Sequence, residues 1–439
     1  MDPYFDDGQA AQLYLGDCRE VLATLPDVSV DAIITDPPYE LGFMGKSWDS
    51  TGIAYDVEVW RQCWRVLKPG GHLAAFGGTR TYHRMACAIE DAGFEIRDSL
   101  HWIYGSGFPK GQDIAKSIDR KRGDHDQVLQ VTAWLRAARD TAGWTTKRID
   151  DVFGTNGMAS HWTAIANKAA SVPTMDQWNR LRDLMRFDDT DILPLVAELN
   201  ERKGTPGEAW ERREVVGHRH SGLAEGGNSM FLRGTTQYED GMVPVTAPAS
   251  DLAQRWQGWN TALRPAHEPI LLARRSTGFN TTVANVLEHG TGALNVDACR
   301  MGATSAERSG RWPTNVLFGH GMDCTDGGDC QSDCPIPELG GEARFFPVFR
   351  YAAKASRSER PRLADGTAHT TVKPLSLIRW LIRLVTPADG LVLDPFAGSG
   401  TTLEAATTEG FRSVGVELES DHAALCIARL SKPIDVAIF

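Results

Sequence analysis

The sequence has no run of about 18 apolar residues, the length a helix needs to cross a bilayer. Its first ten residues, MDPYFDDGQA, carry acid where a secretory leader needs a basic and then an apolar stretch, so a cytoplasmic protein with no membrane partner is the expectation. Positive charge is in deficit: 46 Lys and Arg against 57 Asp and Glu give a formal charge of -11. That excludes a protein that grips polyanions by bulk charge, and leaves local basic patches as the only route to nucleic acid. None of the eight cysteines stands in a Cys-x-x-Cys pair, and most are isolated in apolar contexts, which reads as reduced core thiols. There is no internal repeat. What is present, 42% hydrophobic and 23% charged residues over 439 positions, suffices for a sizeable core and for two or three units.

Residues 12–119 alternate short β-branched runs with helical patterns. Runs at Ala32–Thr35, His72–Phe76 and Leu100–Tyr104, with helices predicted over 19–25, 57–67 and 81–92, describe a parallel sheet with crossover helices. A second such stretch begins near 370, with helices predicted over 375–385, 401–408 and 421–430. Neither stretch has strands enough to stand alone. The economical reading is one Rossmann-like α/β sheet with helices on both faces, built from 1–122 and 256–439. Between them, 123–255 reads as an inserted, mainly helical module, because Val128, Val131, Leu135 and Ala138, then Trp178, Leu181, Leu184 and Met185, recur at helical spacing. Its 204–250 portion is rich in Gly, Ser, Thr and Pro and reads as loop or linker.

Two strand ends carry the chemistry. Asp36-Pro37-Pro38-Tyr39 follows the run Ala32–Thr35, at the carboxyl edge where open α/β sheets place ligands. Pro37 and Pro38 make a stiff turn and have no N–H to set against their carbonyls. Asp36 adds a carboxylate acceptor and Tyr39 a flat aromatic face, a set suited to a planar base bearing an exocyclic amine. The competing reading, a merely rigid turn, loses weight directly after a buried strand. The second end is Asp394-Pro395-Phe396-Ala397-Gly398-Ser399-Gly400-Thr401, a glycine loop opening a helix with free N–H groups. A phosphate-cradling P-loop would need Lys after its last glycine, where Thr401 stands, so an NTPase is disfavoured. Glu417, at the end of the next strand, is placed as the acid that grips ribose hydroxyls.

With Gly16-Asp17, the segment from Trp64 to Gly71 and Val372-Lys373-Pro374, these motifs make the chain resemble the S-adenosylmethionine-dependent DNA methyltransferases that act on exocyclic amino groups. It is similar to their permuted type, with the catalytic tetrapeptide near the N-terminus. The stretches 104–110 and 262–271 also look like those of phage-type and restriction-modification members. The resemblance implies S-adenosylmethionine as cofactor. Asp394, Phe396, Gly398, Gly400 and Thr401 would hold its methionine part and flank its adenine, Glu417 its ribose and Asp17 its adenine amino group. Lys373 would lie in the segment that closes the site. For Asp17 the alternative is a helix N-cap, and for Lys373 a solvated lysine. Asp36, Pro37, Pro38 and Tyr39 would be catalytic, transferring a methyl group to a flipped base, with Tyr39 stacking on it. Adenine N6 is the preferred target because Asp opens the tetrapeptide; cytosine N4 is the alternative. No metal is required.

The resemblance also implies double-stranded DNA as partner, in some members with a cognate restriction endonuclease, and leaves monomer or homodimer open. Lys46 lies in a glycine-hinged loop after the tetrapeptide. Residues 343–362, including Lys354 and Arg357, hold six basic residues against one acid, and 110–122, opening at Lys110, five against two; each is a phosphate track or a solvated face. Residues 144–162 read as helix, glycine turn, helix, and resemble a DNA-reading pair in which Lys147, Arg148, Ser160, His161 and Thr163 are contact candidates. A catalytically silent DNA binder and an RNA or protein methyltransferase are the other classes open. Last, His320, Cys324, Cys330 and Cys334 could close a tetrahedral zinc site, although the irregular spacing favours unligated loop cysteines.

Overall fold

The computed structural model describes residues 2–42, 47–105, 111–166, 169–203, 205–220, 242–301, 310–320, 324, 330, 334–349 and 372–432. The chain divides into two compact units, one of Met1–Phe108 with Arg264–Phe439, the other of Pro109–Leu263. The first unit opens with β1 (Phe5–Asp6), β2 (Ala11–Leu15), α1 (Cys18–Thr24), β3 (Val30–Thr35), α2 (Val57–Val66), β4 (Leu67–Phe76), α3 (Tyr82–Asp91) and β5 (Phe94–Tyr104). The second comprises α4 (Ile114–Arg120), α5 (His125–Thr141), α6 (Thr146–Phe153), α7 (Met158–Trp162), α8 (Met175–Met185), α9 (Leu193–Glu201), α10 (Glu208–Glu211), β6 (Val215–His220), β7 (Met242–Thr246) and α11 (Asp251–Arg255). The first unit then resumes with β8 (His267–Arg275), α12 (Thr282–His289), β9 (Val316–Gly319), α13 (Pro335–Glu338), β10 (Val348–Phe349), α14 (Leu375–Val385), β11 (Leu391–Asp394), α15 (Thr401–Thr408), β12 (Arg412–Glu417) and α16 (Ser420–Leu430).

The two ends of the chain build one sheet, in the order β1-β2-β12-β11-β3-β4-β8-β5-β9-β10. The run from β2 to β4 is parallel, and β8 runs antiparallel to both β4 and β5. All six residues of β3 are buried, as expected of a central strand covered on both faces. Alternation sorts the strands' side chains between two cores. Ile33 and Leu73 pack with Val21, Trp60 and Ile89 of α1, α2 and α3. Ala32, Ile34, Ala74 and Phe76 pack with Leu377, Leu381 and Ala405 of α14 and α15. Asp31, the one charge in β3, is paired with Lys68 (2.7 Å) and accepts the Leu391 N–H (2.8 Å), so it joins three strands.

The second unit has its own core, in which Val131, Leu135, Ile149, Trp162, Trp178, Leu181 and Val196 meet. The boundaries differ from those read in the sequence: the first crossing is at 108/109, not 122/123, and the second at 263/264, not 255/256. The reason is α4, whose buried Asp119 accepts from Arg213 (2.5 Å), Ser250 Oγ (2.6 Å) and the Ala249 N–H (2.9 Å), all inside the second unit. Within 204–250, read as loop or linker, β6 and β7 pair antiparallel, and residues 221–241 lie outside the described residues. Their valines have strand propensity that the surrounding Gly and Ser masked.

Candidate active site

Parallel pairing of β3 with β11 brings the two motif-bearing strand ends together. Thr35 Oγ1 donates to Asp394 Oδ1 at 2.7 Å across 359 positions of sequence. Beyond Thr35, Asp36 turns its carboxylate into a buried cluster. Its Oδ2 takes a hydrogen bond from Lys373 Nζ, and its Oδ1 is buried with no hydrogen-bond partner among the described residues. Lys373 Nζ also lies 3.5 Å from Glu268 Oε2, and about equally far from the ring centres of Tyr39 (5.1 Å) and Phe76 (5.0 Å). The Tyr39 hydroxyl has one proton and donates it to Glu268 Oε2 (2.8 Å), while Tyr104 reaches Glu268 Oε1 (3.4 Å). Thr81 Oγ1 donates to the Tyr39 carbonyl at 2.8 Å, so both ends of this residue are held.

One ammonium between two carboxylates sets the electrostatics. Burial pushes the Asp36 carboxyl above its ordinary range, and the adjacent Lys373 charge offsets only part of that. Burial works against the Lys373 charge, but Asp36 and Glu268 outweigh it, so this lysine is held protonated. Burial, with Asp36 and Glu268 close by, drives the Tyr39 phenol far up, leaving it a neutral donor.

Three features of this cluster were absent from the sequence reading. Lys373, grouped with the cofactor residues, lies against the Asp36 carboxylate. Tyr39, expected as a base-stacking platform, directs its hydroxyl to Glu268 and faces the Lys373 ammonium. Glu268 was not singled out at all. Its only signal was the stretch 262–271, and nothing local ties that stretch to Asp36; β8 must first enter the sheet beside β4 and β5.

The glycine loop lies between the ends of β11 and β12. Asp394 Oδ1 also accepts the Phe396 N–H (3.0 Å), and burial, only partly offset by the hydrogen bonds of Thr35, Thr402 and Phe396, pushes its carboxyl up to about 6. Glu417 Oε2 accepts the Gly398 N–H (2.8 Å) and Oε1 the Glu419 N–H (2.9 Å), so this acid props the loop from the neighbouring strand end. Phe396 packs 6.3 Å from Trp60, ring centre to ring centre. Gly400 stands at φ +80, and a Cβ there would come 2.4 Å from Cys426 Sγ on α16. No side chain caps α15, which begins at the largely buried Thr401, so its first-turn N–H groups are available as donors. Carboxylates for an ammonium and for hydroxyls, beside an uncapped helix start and an aromatic ring, fit a nucleoside-bearing amino acid. Asp17 takes the helix-cap role given as its alternative: its carboxylate caps α1 at the Arg19 N–H (2.9 Å) and takes the Arg19 guanidinium (2.5 Å), which holds its pKa low.

In the second unit α6 and α7 form a helix-turn-helix. Gly154 ends α6 in the left-handed region, and Asp150 closes the turn by accepting from Thr155 Oγ1 (2.6 Å) and the Ala159 N–H (3.0 Å). The second helix is only five residues long. Ser160 is exposed, His161 half-buried and Lys147 exposed, while Arg148 stacks on Trp144 at 4.0 Å. Thr163 is no contact candidate, since it is buried and donates to the Ala159 carbonyl. Arg122 is likewise occupied, by Asp124 and the Arg202 carbonyl. Lys46, Lys110, Lys354 and Arg357 lie outside the described residues. His320, Cys324, Cys330 and Cys334 converge, their ligand atoms all within 4.8 Å of one another. Among the described residues no helix is long and apolar enough to cross a membrane.

Comparison with known proteins follows the same lines. Over 85 residues the chain is 40% identical to the type II methyltransferase M.ScaI of Streptomyces caespitosus, which is 19% of this chain and 26% of that protein. Over 180 residues it is 29% identical to the type II methyltransferase M.HindIII of Haemophilus influenzae, 40% of this chain and 44% of that one. The chain thus matches less than half the length of either relative. Among solved structures, the PvuII DNA methyltransferase (cytosine-N4-specific) aligns over 97% of this chain and 87% of its own at 12% identity and a TM-score of 0.40. M1.HpyAVI aligns over 96% and 100%, at 12% identity and 0.37. The family model described as DNA methylase matches residues 30–140 and 228–428, well over half the sequence and both strand-end motifs, and the chain therefore belongs to this family of N6 and N4 methyltransferases.

Proposed function

We propose that the protein is a site-specific DNA methyltransferase that moves a methyl group from S-adenosylmethionine to the N6 amino group of an adenine flipped out of double-stranded DNA. The observation that carries this reading is Asp36 Oδ1, a buried acceptor with no partner among the described residues. A buried acceptor left unsatisfied costs roughly 1–3 kcal/mol, and an incoming N–H would relieve that cost. An aryl amine is a poor nucleophile because its lone pair is delocalised into the ring. A hydrogen bond from that amine to Asp36 Oδ1 favours a more tetrahedral nitrogen and frees the lone pair.

The surrounding residues fit parts of the same task. Lys373 holds Oδ2 and so aims Oδ1, Glu268 anchors Lys373 and Tyr39 together, and fixed geometry of this kind supplies much of the acceleration. The raised pKa of Asp36 lets its carboxylate take up a proton shed by the amine more readily than an ordinary aspartate would. Bound S-adenosylmethionine would supply the electrophilic methyl group on its sulfonium. Asp394, Gly398 and the start of α15 would receive its amino-acid end and Glu417 its ribose. Asp at the head of the tetrapeptide favours adenine. The α6–α7 pair, with Lys147, Arg148, Ser160 and His161, is the proposed DNA contact.

The test is to incubate the purified protein with S-adenosylmethionine and unmethylated DNA, digest to nucleosides and identify the modified base, with Asp36→Ala as control. N6-methyladenine in the wild type alone supports the proposal, and N4-methylcytosine would keep the chemistry and overturn the target. No modified base despite cofactor binding would point to another substrate or a silent DNA binder.

A further inference from the structure

We infer that His320, Cys324, Cys330 and Cys334 form a structural zinc site, unconnected with methyl transfer, at the end of the sheet. Sequence spacing alone favoured unligated loop cysteines, but the fold gathers all four side chains. His320 Nδ1 lies 3.4 Å from Cys330 Sγ and 3.6 Å from Cys334 Sγ, and every ligand atom is within 4.8 Å of the others. In a tetrahedron with Zn–S near 2.3 Å and Zn–N near 2.0 Å, nitrogen and sulfur stand about 3.5 Å apart and two sulfurs about 3.8 Å. The two nitrogen–sulfur separations are already those of a closed site, and the sulfurs need move in by no more than about 1 Å to meet theirs. Cys324 and Cys334 are 7% and 2% exposed, so the sulfurs are withdrawn from water as in a structural centre. The donor set points to the metal: three thiolates and one imidazole are a structural zinc set, whereas iron–sulfur clusters take four cysteines or, in Rieske centres, two cysteines and two histidines. A disulfide between two of the three cysteines would leave the third sulfur odd.

Position explains the use. His320 directly follows β9, and its N–H pairs with the Phe349 carbonyl of β10 at 3.0 Å. Cys334 is the N-cap of α13, whose chain leads back to β10. The four ligands therefore tie the exit of β9 to the start of the segment that returns to it. β10 is a two-residue strand at the edge, and β9 has only four residues. Strands so short have little stability of their own, and a metal that closes the connection between them holds the edge in place.

The experiment is metal analysis of the full-length protein, purified without chelator. About one zinc per chain is expected, with an X-ray absorption spectrum fitting three sulfurs at about 2.3 Å and one nitrogen at about 2.0 Å. Cys330→Ala and His320→Ala should each lower the zinc content at least tenfold, and stripping zinc from the wild type should lower its Tm and restore it on re-addition. S-adenosylmethionine binding by the same variants reports whether they fold. Zinc below a tenth of an equivalent in folded wild-type protein, undiminished zinc in both variants, or a disulfide found within the cluster would each overturn the inference.

Discussion

Asp36, Lys373 and Glu268 form a chain of charges in which each member positions the next, and their substitutions separate by what they disturb. Asp36→Ala removes the acceptor itself and is expected to lower kcat by about a thousandfold or more while S-adenosylmethionine affinity stays within about threefold, measured by single-turnover methylation and calorimetry. Glu268→Gln keeps the shape but releases Lys373 and Tyr39, so a smaller fall in kcat, about 10- to 100-fold, is expected with cofactor KM little changed. Asp394 sets a pH dependence. Its native pKa of about 6 lies above the ordinary 3.8, so ionisation is harder in the folded chain. The contribution of this group to stability is largest below pH 4 and declines as pH rises through 6. Cofactor binding runs the other way under the proposed assignment, in which the ionised carboxylate receives the cofactor's ammonium. Its affinity should fall as pH drops through about 6, and Asp394→Asn should flatten that step in a titration from pH 8 to 5. A wild-type affinity independent of pH across that range would refute the assigned contact.

Among the elements, α15 was the most legible and is the least tolerant. Its predicted range, 401–408, is the observed Thr401–Thr408, because Gly400 in the left-handed region stops the preceding loop and a regular apolar pattern follows. Gly400→Ala imposes both a strained backbone and a Cβ 2.4 Å from Cys426 Sγ. A loss of about 2–5 kcal/mol is expected, seen as a lower denaturation midpoint together with weaker cofactor binding. Helix α7 shows the limit of local reading. Residues 155–162 read as a second helix, but Gly157 in the left-handed region delays its start to Met158, and it stops at Trp162 with Thr163 buried behind it. The pairing of β6 and β7 was hidden for the opposite reason, its strand-forming valines being embedded in turn-forming composition.

For the whole molecule, a charge of -11 means that the proposed DNA binding would depend on a few local contacts working against general repulsion. Affinity should fall linearly in log–log form with salt, and Lys147→Ala should weaken binding about uniformly across sequences and reduce the slope by about one unit. A slope unchanged by that substitution would remove Lys147 from the DNA contact. The unit boundaries at 108/109 and 263/264 were not visible in composition, because Asp113 to Asp119 look like any amphipathic helix until Asp119 is seen buried against Arg213 and Ser250.

The sequence by itself determined the elements at both ends of the chain, their union in one sheet, the two strand-end motifs and the family they belong to. Those features rest on local patterns: apolar alternation, helical spacing, and proline and glycine at turns. Tertiary structure alone decided which groups share a site. Lys373 meets Asp36 across 337 positions and Glu268 meets Tyr39 across 229, because strand order is set by burial over the whole sheet and leaves no trace in the spacing of residues along the chain. The same holds for His320 and the three cysteines, whose irregular intervals become a closed set of donors only when β9 and β10 pair at the sheet's edge.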